Sequence, residues 1–211
     1  MAILCPLCRS TNCKHFFSNK DSDYLNCAEC DLVFVPEQFH LDLPSERARY
    51  DSHRNDPNDK RYRKFLSKIF EPLVCQISKP SRGLDFGCGP GPTLSVMFEE
   101  AGHEVDLFDK FYNPNKEIFN NKYDFITATE VLEHLHSPGI ELKRLFGMLH
   151  EGGRLGVMTR ILSEEIDFQS WFYKDDPTHI CFYSNKTMNY LANKYSCSVK
   201  FYSNDVAIFS K

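Results

Sequence analysis

Residues 83–91 constrain the fold of this chain more than any other stretch: Gly83-Leu84-Asp85-Phe86-Gly87-Cys88-Gly89-Pro90-Gly91. A short apolar run passes into a turn with glycines at 87, 89 and 91. Pro92 then opens a helical pattern of Leu94, Met97, Phe98 and Ala101. Proline suits a first helical position, because the N–H it lacks has no partner there anyway. Strand, glycine turn and helix N-terminus together aim main-chain N–H groups at a polar ligand. The glycines let that ligand approach backbone where a Cβ would block it. The spacing is not the dinucleotide G-x-G-x-x-G, since Pro92 holds the place of its third glycine. Asp85 lies two residues before the first glycine. An acidic group there repels phosphate and suits an ammonium group.

A longer alternation surrounds this unit. Tyr62, Phe65, Leu66, Ile69, Phe70, Leu73, Val74 and Ile77 follow helical spacing. Asn58 or Asp59 can cap that helix, Pro72 should kink or divide it, and Lys79-Pro80-Ser81 should end it. The helix after the glycine turn should stop at Gly102, and residues 103–108 alternate as a strand ending at Asp109. An acidic residue there, about 20 positions past a glycine loop, can accept hydrogen bonds from two ribose hydroxyls; the plainer reading is a strand-end turn residue. Residues 110–122 are polar, and a third strand is expected in this short span. Residues 123–129 form a clear strand, with Glu130-Val131-Leu132-Glu133-His134-Leu135 at its C-terminal end, where open α/β sheets hold their ligands. Ser137-Pro138 opens another helix, Gly152-Gly153 should stop it, and residues 155–159 form the next strand. Strands alternating with helices imply a parallel, doubly wound sheet. Ser184 then caps a helix bearing Met188, Leu191 and Ala192. Strands at 197–202 and 206–209 are joined only by Ser203-Asn204-Asp205, a link short enough to permit only an antiparallel hairpin.

The N-terminus carries a different signal. Five of the nine cysteines lie in the first 30 residues, and in a reducing compartment such clustering favours metal over disulfide. Cys5-Pro6-Leu7-Cys8 and Cys27-Ala28-Glu29-Cys30 make two C-x2-C pairs. Two knuckles of two thiolates each match a tetrahedral structural zinc site; redox thiols or iron are the alternatives. Cys13 and His15 could replace one ligand but read as ordinary loop residues. Flanking runs at 24–26 and 32–35 look like ribbon strands. A module of this size can hardly fold without its metal, and a closed four-cysteine site leaves no open position for catalysis. Three units follow: a zinc ribbon at 1–35, a connector or lid at 36–59 interrupted by Pro36, Pro44 and Pro57, and the main domain at 60–211. Tyr50 and His53 in the connector are candidate lid residues, or merely surface.

The chain's 211 residues, 42% hydrophobic, suffice for one medium domain with a small attachment. A net charge of −4 gives no general pull toward nucleic acid or acidic membrane. Residues 1–4 run straight into the first cysteine pair, leaving no room for a secretory apolar region, and no apolar run reaches transmembrane length. The expected setting is cytoplasmic.

Taken together, residues 60–211 resemble the class I S-adenosylmethionine-dependent methyltransferases. The matching residues are 85–91, Asp109, Tyr123-Asp124 through Leu135, and Leu149-His150-Glu151-Gly152-Gly153. The C-terminal hairpin agrees with that family's Rossmann-like, seven-stranded sheet. The resemblance implies that Asp85 lies near the methionine end of the cofactor. It further implies that Gly87, Cys88, Gly89 and Gly91 pack against the cofactor, that Asp109 holds the ribose, and that Glu130 lies beside the methionine or adenosyl group. The span between Asp109 and Tyr123 is shorter than usual for the family, and adenine contacts stay open.

A sulfonium is already a strong methyl donor, so the protein must mainly exclude water and align a nucleophile. A base is needed only for a poorly ionised acceptor. His179, in the aromatic stretch 171–183, is the preferred base, the alternative being a histidine that holds its loop in place. Trp171, Phe172 and Tyr173 wall an acceptor pocket or simply pack, and His134 reads as structural. The expected activity is methyl transfer to a small-molecule acceptor with structural zinc. The alternatives are an RNA methyltransferase using the ribbon to bind RNA, and a non-catalytic cofactor-binding adaptor.

Overall fold

The computed structural model describes residues 3–51 and 55–211. His53 lies outside the described residues. Three short strands come first: β1 (Cys13–Ser18), β2 (Asp23–Cys27) and β3 (Val33–Phe34). Cys13 and His15 therefore sit on a strand and not in a loop, because β1 pairs antiparallel with β2 in a register that sets Cys13 opposite Cys27. The connector is partly helical. Asp42 caps α1 (Leu43–Tyr50) by accepting a hydrogen bond from the Ser45 N–H, with Pro44 in the first turn.

α2 (Lys60–Val74) is capped by Asp59. Pro72 does not divide it, since it stands in the final turn, and the helix stops at Val74 and not at Lys79. The glycine-turn unit runs from β4 (Arg82–Phe86) to α3 (Thr93–Glu100). Gly102 follows that helix at φ +87°, a left-handed closing conformation. Then come β5 (Glu104–Phe108), β6 (Tyr123–Thr129), α4 (Pro138–Met148) and β7 (Leu149–Met158). Gly152 and Gly153 lie within β7, because the chain leaves α4 at Met148 and turns straight into the strand. The last elements are β8 (Cys181–Phe182), α5 (Asn185–Lys194), β9 (Ser198–Phe201) and β10 (Val206–Ser210). Ser184 and Thr187 form a reciprocal capping box on α5.

The main sheet has the order β5-β4-β6-β7-β10-β9. Its first four strands run parallel, and β10 pairs antiparallel with both β7 and β9, as the short terminal link requires. The Rossmann-like α/β class is as expected, but the sheet has six strands among the described residues, where seven were anticipated. A 3-10 turn at Lys116–Asn120 occupies the place of the missing strand. A parallel strand needs a crossover of a dozen or more residues in addition to its own length, and the interval between β5 and β6 cannot hold both.

Each sheet face has its own core. α2 and α3 place Leu66, Ile69, Leu73, Leu94 and Phe98 against Phe125, Met158 and Ile208. On the other face, Leu142, Leu145 and Leu191 meet Leu84, Ile126 and Val157. That second core continues without a break into Tyr24, Val33 and Phe34 of the N-terminal strands. The reason is topological. A second sheet has the order β1-β2-β3-β8, so a strand from the far end of the sequence completes the N-terminal ribbon. Rings of Tyr24, Phe168 and Phe182 pack edge-on at this junction. Gly139 at the start of α4 donates its N–H to Pro6 O at 3.2 Å, and a Cβ there would meet Leu7 O at 2.4 Å.

Candidate active site

A cavity of about 480 Å³ opens at the C-terminal ends of β4, β5 and β6. Its floor is the glycine turn. Gly87 and Gly89 stand at φ +80° and +64°, which side-chain-bearing residues adopt at a cost. A Cβ at Gly87 would strike Val131 Cγ2 at 2.3 Å, and one at Gly91 would strike Asn55 O at 1.9 Å. The N–H groups of Gly87 and Cys88 donate to Phe108 O at 2.7 and 3.1 Å, tying the turn to the end of β5. Cys88 is buried, and that burial pushes its thiol up to about 12; it lines the cavity as a small neutral group.

Three carboxylates from three strand ends converge on this turn. Asp85 is 4% exposed. Burial raises its carboxyl to about 6 against an opposing 2.9 Å hydrogen bond from Thr127 Oγ1. Glu130 follows β6 at φ +52°, with its N–H donating to Met158 O at 2.8 Å. Burial, and next the charges of Glu133 and Asp205, push the Glu130 carboxyl up to about 9. Asp109 accepts from the N–H groups of Phe111 and Tyr112 on Oδ1 and from Gly89 N on Oδ2, at 2.8, 3.1 and 3.1 Å. All of the residues anticipated from the sequence at this end (Asp85, Gly87, Cys88, Gly89, Gly91, Asp109 and Glu130) line the one cavity. Thr129 Oγ1 lines it too, buried and without a hydrogen-bond partner.

The opposite wall comes from α1, the turn after β6 and the loop before β8. Tyr50 and His179 both line the cavity. His134, expected to be structural, lines it as well. His134 Nδ1 bonds Thr178 O at 3.0 Å, and His179 Nδ1 bonds Tyr173 O at 2.6 Å. Burial lowers both imidazoles, His134 to about 4. Tyr50 is held by Glu46, which also takes Lys110 Nζ at 2.6 Å. Burial opposes the Glu46 charge, but the nearby His136 ring at 3.7 Å and the bonds from Lys110 and Tyr50 outweigh it and hold the carboxyl down at about 2. Trp171 and Tyr173 are buried in aromatic packing around Phe168 and Phe182, away from the cavity. Phe172 is 61% exposed beneath the Arg160 guanidinium. Glu133, at 0% exposure, was not singled out from the sequence; the signal that could have found it is a carboxylate beside a histidine directly after a strand end.

The sulfurs of Cys5, Cys8, Cys27 and Cys30 all lie within 4.8 Å of one another, with two pairs at 3.5 Å. A tetrahedral zinc at about 2.3 Å from each sulfur sets them about 3.8 Å apart, so the donor set and spacing fit that ion. Cys13 and His15 stay outside the cluster: Cys13 Sγ bonds Ser10 O at 3.6 Å, and His15 Nε2 bonds Ser18 Oγ.

A family model described as a methyltransferase domain matches residues 50–199. No curated protein matches the sequence. Among solved structures, one similar chain is the Burkholderia thailandensis 1,6-didemethyltoxoflavin-N1-methyltransferase with bound 1,6-didemethyltoxoflavin and S-adenosylhomocysteine. It has a TM-score of 0.54 and 14% identity, over 87% of this chain and 96% of that one. A second is CalO1, a methyltransferase in calicheamicin biosynthesis in its S-adenosylhomocysteine-bound form, with a TM-score of 0.51 and 13% identity, over 80% and 58% of the two chains. A third is an O-methyltransferase family protein from Burkholderia thailandensis, with a TM-score of 0.50 and 11% identity, over 78% and 61%.

Proposed function

The chain belongs to the methyltransferase-domain family, and from that premise we propose that it methylates a small-molecule acceptor, with S-adenosylmethionine held along residues 85–91. When bound, the cofactor supplies an activated methyl group on a sulfonium. The observation that carries the reading is a pair of carboxylates lining the cavity, the buried Asp85 and the half-buried Glu130, each held above the ordinary carboxylate range where they face the glycine turn. Such a site gains by taking in a cation, which restores the charged form of both groups. The unpartnered Thr129 hydroxyl fits the same hydroxyl- and amine-bearing ligand. Asp109 sits where a ribose would be held, with a free lone pair on Oδ2 beyond its bond to Gly89. His179 is the candidate for moving a proton from the acceptor, because its Nδ1 is committed to Tyr173 O and its Nε2 is left as the basic nitrogen. The connector helix α1, through Tyr50, serves as a lid.

A cavity of about 480 Å³ is of small-molecule size, and the Burkholderia neighbour holds an acceptor of that class. We assign zinc to the four cysteines as a structural ion, since four thiolates leave it no open position. None of the nine cysteines is in a disulfide, which suits a reducing, cytoplasmic setting. No helix among the described residues is long and apolar enough to cross a membrane. The test is a thermal-shift titration with S-adenosylhomocysteine. The melting temperature should rise, and Asp109→Ala should markedly reduce the rise at the same ligand concentration. A shift with NAD and none with the adenosyl ligand overturns the reading.

A further inference from the structure

We propose that Glu133, His134 and His179 form a second metal site, for a divalent transition-metal ion on the acceptor side of the cavity. One ligand atom from each lies within 4.8 Å of the others, and His134 Nε2 is 4.0 Å from Glu133 Oε1. An ion about 2.1 Å from each donor needs them about 3–3.5 Å apart, so binding draws them together by about an ångström.

Three observations separate this cluster from ordinary packing. A backbone carbonyl can only accept, so each Nδ1 that bonds one must carry the proton: His134 on Thr178 O and His179 on Tyr173 O. That tautomer leaves each Nε2 with a free lone pair, and it is the support that metal-binding imidazoles usually have. Glu133 is held in the same manner, because Tyr173 Oη donates to its Oε1 at 2.6 Å. Its other oxygen, Oε2, is buried and has no hydrogen-bond partner. A fully buried carboxylate with an oxygen left without a partner is costly, and a cation on this carboxylate offsets part of that cost. Finally, the two segments are locked in register, because Ile180 N donates to Glu133 O at 2.8 Å. Both histidines line the cavity, so the ion faces the space beside the glycine turn and not the protein interior alone.

One carboxylate and two imidazoles suit Mn2+, Fe2+, Co2+ or Zn2+, and three protein ligands leave open positions. Resting on the methyl-transfer reading, such an ion would serve an acceptor hydroxyl, whose ionisation it assists. That hydroxyl binds at an open position and releases its proton to water, because the ion lowers its pKa. The oxygen then forms the O–C bond as the C–S bond breaks, and that electron pair stays on sulfur. With the ion bound, His179 Nε2 is its ligand and the acceptor proton goes to water; only in the absence of the ion does that nitrogen remain the base.

The test uses the full chain, first brought to one Zn2+ per molecule by addition of zinc and desalting. MnCl2 is then titrated, with free Mn2+ followed by electron paramagnetic resonance. One Mn2+ per chain is expected. His134→Ala and His179→Ala should each weaken it by about tenfold or more, while zinc content and the melting shift with S-adenosylhomocysteine persist. Glu133→Gln is a third variant, scored only if it keeps that shift. Failure of the wild-type protein to bind Mn2+, or equal binding by both histidine variants, overturns the site. A retained adenosylhomocysteine shift in that case leaves the methyl-transfer reading standing. Mn2+ binding without the shift keeps the metal site and sinks the methyl-transfer reading instead.

Discussion

The two sheets of this molecule are held together in opposite ways. In the six-stranded sheet, β4 and β6 are buried along most of their length between helices. Apolar area removed from water is enough to stabilise such strands. In the four-stranded ribbon, β3 and β8 are two residues each and β1 is largely exposed. What closes the ribbon is a cluster of four thiols. The difference would suggest a domain and an appendage, but β8 crosses between them. It continues directly from His179 and Ile180, so the ribbon's fourth strand anchors one wall of the cavity. The weaker sheet thereby positions part of the candidate active site.

Disrupting the ribbon's four-cysteine cluster should break this arrangement most severely. Cys27→Ser with Cys30→Ser, or chelation, should lower the melting temperature by about 10 °C, a loss of roughly 3 kcal/mol or more for a chain of this size. Hydrogen exchange is the sharper readout. Amides of β2, β3 and β8 and of residues 172–180 should lose protection together, while β4 and β6 keep theirs. Unchanged protection at 172–180 would mean that the ribbon is an appendage after all.

The glycine-turn side should respond in the reverse sense. Asp109→Ala removes a carboxylate that accepts three backbone N–H groups. It would also remove the proposed acceptor for the ribose hydroxyls; a hydrogen bond to a charged group is worth about 1.5–3 kcal/mol, so adenosylhomocysteine should bind about 10- to 100-fold more weakly by calorimetry. Exchange in the ribbon should not change. A loss of ribbon protection in this variant would show the two sheets to be coupled in both directions.

Asp85→Asn should separate stability from binding. The folded carboxyl is raised to about 6 by burial, from an ordinary value of 3.8. A raised acid favours the folded state fully below the lower value and loses that advantage as pH climbs through the upper one. Between about pH 4 and pH 6 the ligand-free protein should therefore lose up to about 3 kcal/mol through this group. At pH 7 asparagine avoids that cost but weakens the Thr127 bond, worth about 1 kcal/mol. The ligand-free variant should be more stable than wild type by about 1–2 kcal/mol in urea titrations, yet bind the adenosyl ligand less well. A destabilised variant would mean that Asp85 is already compensated by a group in the ligand-free cavity.

What could be read from the sequence follows the same division. Local patterns carried the glycine turn, the α3–Gly102 stop, the Ser184 cap and the terminal hairpin, because each is decided by residues a few positions apart. The clustering of the four cysteines was legible for the same reason, since two C-x2-C pairs are local patterns. The pairing of β3 with β8 was not legible, because it joins Val33 to Phe182 across most of the chain. Glu133 and His134 were hidden for a related reason. The adjacent Glu133-His134 pair after a strand end was the only local hint, and its partners Tyr173, Thr178 and His179 arrive only when β8 docks. The absent third strand was a matter of chain length, and Trp171 and Tyr173 were claimed by the aromatic packing at the ribbon junction.

The smallest expected effect tests how closed the ribbon site is. Cys13 lies directly across the β1–β2 pairing from Cys27, near enough in the fold to compete as a ligand. Its sulfur is instead turned to Ser10 O at 3.6 Å, a weak bond that a hydroxyl makes equally well. Cys13→Ser should therefore keep one zinc per chain and change stability by no more than about 0.5 kcal/mol. The same holds for His15→Ala, whose ring is exposed and bonds only Ser18. Metal content measured on Cys13→Ser and on Cys30→Ser side by side decides the matter. If the first loses zinc as the second does, the ion is shared among five sulfurs, and the ribbon is a looser and more exchangeable site than its four-thiolate geometry implies.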